Sequence, residues 1–204
     1  MTPLRHIGIL GGSFNPVHIG HVMLADYIAQ FSEADPVDEV WLMLSPLNPL
    51  KTRPEELVSE TDRMAMLRLA CDMSPRLEAC DIELSMPRPS YTIDSLNTLA
   101  ALYPDCRFSL IIGSDNWAIF DRWRSYREII MRFPPVIYPR PGYEVDAASL
   151  PEGVTLIPDA PVTDISSTML RRAIAAGKDM TCFLPAGVAE YIRLNNLYSI
   201  TPSL

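Results

Sequence analysis

Residues 7–21 of the chain read Ile7-Gly8-Ile9-Leu10-Gly11-Gly12-Ser13-Phe14-Asn15-Pro16-Val17-His18-Ile19-Gly20-His21. The run 7–10 is short and apolar, which is typical of a buried strand. Two glycines and a turn-prone Ser-Phe-Asn-Pro follow at once, and a helical pattern begins at about Gly20. This order gathers backbone N–H groups and the positive end of a helix dipole at one point. Such a point suits an anion such as phosphate.

Length and composition indicate a single domain, residues 1–204, because 204 residues are too few for two ordinary domains. Hydrophobic residues make up 48% and charged residues 21%, as in soluble globular proteins. The net charge of −8 argues against a nucleic-acid or membrane-surface binder, since those need a basic footprint. The start carries no signal-peptide pattern, and no apolar run approaches the ~20 residues that cross a bilayer. We therefore expect a cytoplasmic protein; its oligomeric state is not indicated.

The four cysteines, Cys71, Cys80, Cys106 and Cys182, form no C-x-x-C pair and lie at no zinc-ligand spacing from a histidine. They are interpreted as reduced, mostly buried thiols. We expect no metal site built from protein ligands.

Apolar strands alternate with amphipathic helices along the whole chain. The predicted strands are 7–10, 39–45, 77–82, 107–112, 135–138 and 154–157. The predicted helices are 20–31, a segment capped at Ser59 or Thr61 and ending near 73, 92–102, 116–120, 126–131, a segment entered by 164–168 and ending at 176, and 184–194. The alternation predicts an α/β, Rossmann-like, doubly wound and mainly parallel sheet with helices on both faces. Ligands bind such sheets beyond the carboxyl ends of the strands, where the strand order switches.

The glycine turn matches neither the dinucleotide pattern G-x-G-x-x-G nor a Walker loop. A tight turn alone would account for the glycines. It would not account for His18 and His21, whose three-residue spacing puts both on one side of a helix start. Because two of the three histidines in the chain meet at this junction, we expect them to have a functional role, and His6 to be incidental.

A second constellation, Ile165-Ser166-Ser167-Thr168-Met169-Leu170-Arg171-Arg172, opens the C-terminal helical part from about 165. Helix capping by a hydroxyl explains at least one of its serines. Three hydroxyls ahead of an arginine also make an anion site. Two anion sites at one sheet edge suit a triphosphate better than a single phosphate.

These two motifs together resemble the nucleotidyltransferase superfamily. Within it, nearly the whole chain is similar to bacterial nicotinate mononucleotide adenylyltransferases. The supporting pieces are Ser90-Tyr91-Thr92-Ile93-Asp94-Ser95-Leu96, Ile112-Gly113-Ser114-Asp115, Trp123, and Val188 with Tyr191-Ile192. One loop departs from the family: where Pro-Pro-His-Lys is common, this chain has Asn48-Pro49-Leu50-Lys51, so the lysine is kept and the histidine is absent.

The resemblance implies transfer of AMP from ATP to nicotinate mononucleotide, giving nicotinate adenine dinucleotide and pyrophosphate in NAD biosynthesis. It implies catalytic roles for His18, His21, Lys51 and Arg171, with Mg²⁺ carried by the ATP phosphates. The ATP-binding set it implies is Gly11, Gly12, Ser13, Phe14, His18, His21, Gly113, Asp115, Ile165, Ser166, Ser167, Thr168 and Arg171. The mononucleotide set it implies is Lys51, Tyr91, Thr92, Trp123 and Arg140. Trp123 is equally well explained as a packing aromatic.

Other functions remain open at this point. The acceptor could be nicotinamide mononucleotide or phosphopantetheine, or the donor could be a cytidine nucleotide. A non-catalytic nucleotide-binding sensor would keep the same fold. A dehydrogenase is disfavoured because the dinucleotide pattern is missing.

Overall fold

The computed structural model describes residues 4–33, 35–46 and 57–199. Its strands in these ranges are β1 (Arg5–Gly12), β2 (Glu39–Leu44), β3 (Leu77–Cys80), β4 (Cys106–Gly113), β5 (Val136–Tyr138) and β6 (Thr155–Leu156). They form one sheet in the order β3-β2-β1-β4-β5-β6, and every neighbouring pair is parallel. The predicted doubly wound α/β architecture is therefore confirmed.

The connections contain the helices. These are α1 (Ile19–Phe31), α2 (Glu60–Cys71), α3 (Thr92–Leu102), α4 (Ser114–Trp117), α5 (Tyr126–Arg132), α6 (Ser167–Ala175) and α7 (Ala186–Leu194). Residues of α1, α2, α6 and α7 pack on one face of the sheet, and residues of α3 and α5 pack on the other. Along β1, the Leu10 side chain packs in the core on the α1 face of the sheet, and the side chains of Ile7 and Ile9 pack in the core on the α3 face. Burial on both faces explains why this strand is an unbroken apolar run.

Most predicted elements differ from the observed ones by one or two residues at their ends, and three of these differences have a clear structural cause. The strand predicted at 77–82 ends at Cys80, and a 3₁₀ turn, Ile82–Ser85, replaces its end. The turn brings Glu83 to a buried position, which a continuing strand would not do. The helix predicted at 116–120 is α4, which starts directly after β4 and ends early so that Phe120 enters the core. The last helix starts at Ala186 rather than 184, because Pro185 stands at its N-cap.

The strand order reverses between β1 and β4. From β1 the chain adds β2 and β3 on one side, and from β4 it adds β5 and β6 on the other. In the register of the two central strands, Leu10 stands opposite Ile111. Their carboxyl ends, Gly11-Gly12 and Gly113, consequently open at one edge of the sheet, where ligands of such folds bind.

All four cysteines are free thiols, with Cys71, Cys80 and Cys106 buried and Cys182 exposed, as predicted. Burial raises the pKa of the Cys71 thiol to about 12 and that of Cys80 to about 11. Both thiols are therefore unreactive at neutral pH. Within the described ranges no helix combines the length and the apolar character needed to cross a bilayer.

Candidate active site

The glycine turn after β1 is shaped by Phe14. This residue has a φ of +42°, and its ring folds back over Gly12. A Cβ at Gly12 would lie only 2.9 Å from the Cζ of Phe14, so no larger residue fits there. The edge of the same ring meets the His21 imidazole, with 5.1 Å between ring centroids. The turn therefore positions the His21 side chain as well as reversing the chain.

A buried arginine is hydrogen-bonded to the main chain of the glycine turn. Arg63 on α2 is 1% exposed, and its guanidinium donates hydrogen bonds to four main-chain carbonyls. The acceptors are Ser13 (2.9 Å), Ser45 (2.8 Å), Pro46 (3.1 Å) and Val58 (3.2 Å). The chain leaving β1 and the chain leaving β2 are thus tied to one planar group, which fixes their relative position.

His18 and His21 stack at the start of α1, with 3.7 Å between ring centroids. The main-chain N–H of His18 donates to Nδ1 of His21 over 3.2 Å. Because Nδ1 accepts this bond, a neutral His21 carries its proton on Nε2. Nε2 of His21 is then a hydrogen-bond donor at the positive end of the α1 dipole.

His18 is 6% exposed, and its Nδ1 atom has no hydrogen-bond partner among the described residues. Burial, reinforced by the positive charge of Arg140, lowers the pKa of His18 to about 4. His18 is therefore neutral at physiological pH.

The start of α6 docks directly on the glycine turn. Ser166 caps the helix, its Oγ accepting from the Met169 N–H over 3.2 Å. Ser167 Oγ donates to the Pro16 carbonyl over 2.9 Å, and Nη1 of Arg171 donates to the Asn15 carbonyl over 2.9 Å. Capping thus accounts for the first serine, while the second serine and the arginine join the two predicted anion sites into one.

Two clefts open at this edge of the sheet. The larger, of about 750 Å³, is lined by Gly11, Gly12, Ser13, Phe14, His18, His21, Asp115, Arg140, Ile165, Ser166, Ser167, Thr168 and Arg171, among others. The smaller, of about 340 Å³, is lined by Gly11, Gly12, Glu83, Ser90, Tyr91, Thr92, Gly113, Arg122, Trp123 and Arg124, among others. Both clefts include Gly11, Gly12, Asn116 and Tyr138, so they meet over the ends of β1 and β5.

Comparison with known proteins agrees with this geometry. Residues 9–173 match the cytidylyltransferase-like family model. A probable nicotinate-nucleotide adenylyltransferase of Bacteroides thetaiotaomicron is 47% identical over 194 residues, covering 95% of this chain and 94% of the relative. One from Bacteroides fragilis is 46% identical over 189 residues, covering 91% of this chain and 90% of the relative. The chain belongs to the nicotinate-nucleotide adenylyltransferase family.

Solved structures with low sequence identity share the fold. Plasmodium falciparum nicotinic acid mononucleotide adenylyltransferase, complexed with NaAD, superposes with a TM-score of 0.76 at 22% identity, covering 95% of this chain and 97% of that one. Its complex with APC gives a TM-score of 0.75 over the same shares of the two chains. The architecture of the nicotinate-nucleotide adenylyltransferases is thus kept across a wide range of sequences.

In this member of the adenylyltransferase family, the two predicted sets of residues, one for ATP and one for the mononucleotide, fall largely into different clefts. The predicted ATP set lines the larger cleft except for Gly113, which lines the smaller one. Of the predicted mononucleotide set, Tyr91, Thr92 and Trp123 line the smaller cleft, while Arg140 lies in the larger. Lys51 lies outside the described residues.

The smaller cleft contains a carboxylate that the sequence did not single out. Glu83 is 4% exposed and accepts hydrogen bonds from Ser90 Oγ (3.1 Å) and Ser95 Oγ (2.7 Å). Ser90 precedes Tyr91, the N-cap of α3, and Ser95 stands in the first turn of that helix. Glu83 therefore braces the start of α3 against the 3₁₀ turn after β3. Its position between two apolar residues, Ile82 and Leu84, is the only sequence signal of this burial.

Two arginines of the smaller cleft were also missed, although the alternation Arg122-Trp123-Arg124 is visible in the sequence. The guanidinium of Arg124 lies 4.6 Å from the centroid of the Tyr91 ring. It also pairs at 3.5 Å with the carboxylate of Asp94, one of the first residues of α3. Arg122 is exposed, and its guanidinium makes no hydrogen bond or ion pair with a described residue.

Trp123 between them is partly buried and packs against Phe120, with ring centroids 5.3 Å apart. Its Nε1 atom has no partner in the described part of the chain. The same indole therefore belongs to the core and lines the cleft.

Proposed function

We propose that the protein joins ATP and nicotinate mononucleotide to give nicotinate adenine dinucleotide and pyrophosphate, a step of NAD biosynthesis. The observation that carries the proposal is the pair of clefts meeting at Gly11-Gly12. One cleft offers hydroxyls, histidines and arginines for a polyphosphate, and the other offers aromatic rings and arginines for a ring that carries a carboxylate. The names of the bacterial relatives support the same reaction.

The chemistry needs no protein base. The attacking group is the 5′-phosphate of the mononucleotide, whose second pKa is about 6, so that it is largely dianionic at neutral pH. The difficulty is electrostatic, because two polyanions must meet in line at the α-phosphorus. Catalysis then consists of positioning and charge stabilisation. This agrees with a site rich in donors.

In this mechanism the Nε2–H of His21 donates to the ATP phosphates nearest the reacting α-phosphorus. His18, neutral in its buried position, contributes hydrogen bonding rather than charge. Ser167, Thr168 and Arg171 hold the β- and γ-phosphates. Asp115, with Gly113 beside it, receives the adenosine end, and we assign Lys51 to bridging the incoming phosphates.

Magnesium enters as part of the ATP substrate. In the described part of the chain, no three His, Cys, Asp or Glu side chains are placed together to hold a metal ion. The larger cleft offers mainly cations, amides and hydroxyls, which fit the phosphates rather than the ion itself. Mg²⁺ on the phosphates keeps most of its waters and neutralises charge that builds up on pyrophosphate as it leaves.

The pyridine ring of the mononucleotide occupies the smaller cleft. Its carboxylate docks at the N-terminus of α3, near Tyr91 and Thr92, and its ring stacks on Trp123. Arg140, in the larger cleft, then contacts the phosphate side of the substrate. A carboxylate at this point distinguishes the nicotinate ring from the nicotinamide ring, whose amide group is uncharged.

We also propose that 1–204 works as one nucleotidyltransferase domain in the cytoplasm. One sheet carries both clefts, and the C-terminal part supplies α6 to the larger one. Four free thiols agree with a reducing compartment.

The decisive experiment measures pyrophosphate release with Mg²⁺ and ATP or CTP, and with nicotinate mononucleotide, nicotinamide mononucleotide or phosphopantetheine as acceptor. We expect release with ATP and nicotinate mononucleotide well above every other combination. Equal efficiency with both pyridine mononucleotides would contradict the role given to the α3 N-terminus. ATP binding without pyrophosphate release from any pair would instead indicate a nucleotide sensor.

A further inference from the structure

Asn15 lies at the centre of the glycine turn and is 1% exposed. Its side-chain Oδ1 accepts from the Val58 N–H over 3.3 Å and from the Tyr198 hydroxyl over 2.9 Å. Its main-chain carbonyl accepts from Nη1 of Arg171 over 2.9 Å. One residue thus links the end of the described chain to the arginine assigned to the ATP phosphates.

The direction of these bonds follows from the donors. A main-chain N–H can only donate, so the Asn15 atom facing Val58 is the oxygen of the amide. The Tyr198 hydroxyl must then donate to the same oxygen. Burial raises the pKa of the Tyr198 phenol above its usual range, so it keeps this proton at every working pH. The Tyr198 hydroxyl is therefore a hydrogen-bond donor to Asn15 at neutral pH.

The backbone after α7 bends so that the Tyr198 hydroxyl reaches the glycine turn. After α7 ends, the Leu197 N–H bonds back to the Ile192 carbonyl over 3.0 Å. Tyr198 then adopts a φ of +63°, a left-handed conformation that is uncommon for residues other than glycine. Its ring packs against the core of the α1 face. A phenylalanine would supply the same packing, so the contribution of the hydroxyl is its hydrogen bond to Asn15.

We propose that Tyr198 is a positioning residue for ATP binding: its hydroxyl fixes Asn15, and Asn15 in turn fixes the guanidinium of Arg171. The inference rests on the proposed function, in which Arg171 holds the outer phosphates. Without the hydroxyl, the Asn15 amide loses one of the two donors seen on its oxygen, and the carbonyl anchoring Arg171 is free to shift. The arginine would then meet ATP in several orientations instead of one.

The chain provides a matched control in Tyr191 of α7. Its hydroxyl also donates one hydrogen bond, to the Asp62 carboxylate over 2.9 Å. Asp62 lies in the first turn of α2 and lines neither cleft. Tyr191→Phe therefore removes the same group from the same end of the chain without touching the turn.

The test compares KM for ATP, KM for nicotinate mononucleotide, kcat and Tm of the wild type, Tyr198→Phe and Tyr191→Phe. We expect Tyr198→Phe to raise KM for ATP about three- to tenfold, the range for one lost hydrogen bond. The other two kinetic constants should change less than twofold, and Tyr191→Phe should leave all three near the wild-type values. An unchanged KM for ATP in Tyr198→Phe, or an equal rise in Tyr191→Phe, would overturn the proposal.

A double-mutant cycle tests the route through Arg171. Arg171→Ala alone should raise KM for ATP strongly, and adding Tyr198→Phe should then raise it little further. An unchanged effect of Tyr198→Phe in the Arg171→Ala background would show that the hydroxyl acts elsewhere and would overturn the inference.

Direct titration with ATP and Mg²⁺, followed by tryptophan fluorescence on the folded protein, separates this inference from the proposed function. A protein inactive with every mononucleotide would overturn the proposed reaction. The titration would still reveal weaker ATP binding in Tyr198→Phe if the positioning role is right. Equal ATP affinity in Tyr198→Phe and the wild type would overturn it, whatever the reaction.

Discussion

His18 and His21 stand three residues apart with stacked rings, yet their surroundings give them different properties. His21 is oriented by the main-chain N–H of His18 and is left with a donor at Nε2. His18 is buried with one nitrogen lacking a described partner, and its pKa is lowered to about 4. The first is suited to stabilising charge in the transition state, and the second to holding a fixed neutral hydrogen-bonding position.

Replacing His21 by alanine should lower kcat by about two to four decades, the scale of losing one preorganised donor at a developing charge. Pyrophosphate release under saturating substrates measures this. His6→Ala is a suitable comparison, because the imidazole of His6 hydrogen-bonds Pro36 (2.7 Å) and Ser109 (2.8 Å) and lines neither cleft. It should lose stability while the folded fraction keeps its turnover. Near-normal turnover in His21→Ala would mean that the site is misassigned.

Arg122 is the exposed cation of the smaller cleft that has no described partner. Arg122→Gln should reduce the preference for nicotinate over nicotinamide mononucleotide about two- to fivefold, the range for a solvent-exposed ion pair. The measurement is the ratio of kcat/KM for the two mononucleotides in one preparation. Arg127→Gln, whose guanidinium lies on the Tyr126 ring away from both clefts, should leave the ratio unchanged. Equal ratios in the two variants would exclude Arg122 from carboxylate recognition.

At the scale of elements, the sequence predicts the structure correctly wherever residues that are close along the chain determine it. The apolar run of β1, the glycine turn and the hydroxyls of α6 each indicate their own conformation, so the fold and many residues of the larger cleft could be predicted. Residues that act through distant partners could not. Arg63 bonds Ser13 across 50 positions, and Tyr198 bonds Asn15 across 183. No pattern of spacing indicates such a pairing before the sheet has been assembled.

The start of α3 depends on the 3₁₀ turn that carries Glu83. Glu83→Ala would leave two buried serine hydroxyls, those of Ser90 and Ser95, without this acceptor. We expect a loss of about 1–3 kcal/mol in the free energy of unfolding. We also expect KM for nicotinate mononucleotide to rise about tenfold, because a loosened helix start positions the carboxylate poorly, while KM for ATP stays unchanged.

Denaturant unfolding and steady-state kinetics of the same samples check both effects of Glu83→Ala. Glu78→Ala on β3 is the control, since Glu78 is exposed and lines neither cleft. A rise in KM for ATP as large as that for the mononucleotide would show that Glu83 supports the site as a whole rather than α3.

For the whole molecule, the buried histidines make stability depend on pH. The pKa of His18 falls from 6.5 to about 4 on folding, and burial lowers that of His6 in the same direction. Between these values the unfolded chain binds more protons than the native one. The free energy of unfolding therefore decreases as the pH falls from 6.5 towards 4, and His18 alone accounts for about 3 kcal/mol of the loss.

Urea unfolding of the wild type and of His18→Gln at pH 7.0 and 4.5 measures the contribution of His18. The carboxylates titrate alike in both proteins, so the wild type should lose about 2–3 kcal/mol more than the variant on acidification. Parallel losses in the two proteins would mean that His18 is not buried as a neutral imidazole.

The contact between the glycine turn and α6 has a consequence for how the protein is made. Ser167 bonds the Pro16 carbonyl across 151 positions of the chain, so one wall of the ATP cleft leaves the ribosome long before the other. A nascent chain that ends before α6 has all six strands of the sheet but lacks the helix that lines one side of the larger cleft. We therefore expect the residues before α6 to fold on the strength of their core, and ATP binding to stabilise the protein only after α6 has joined the cleft.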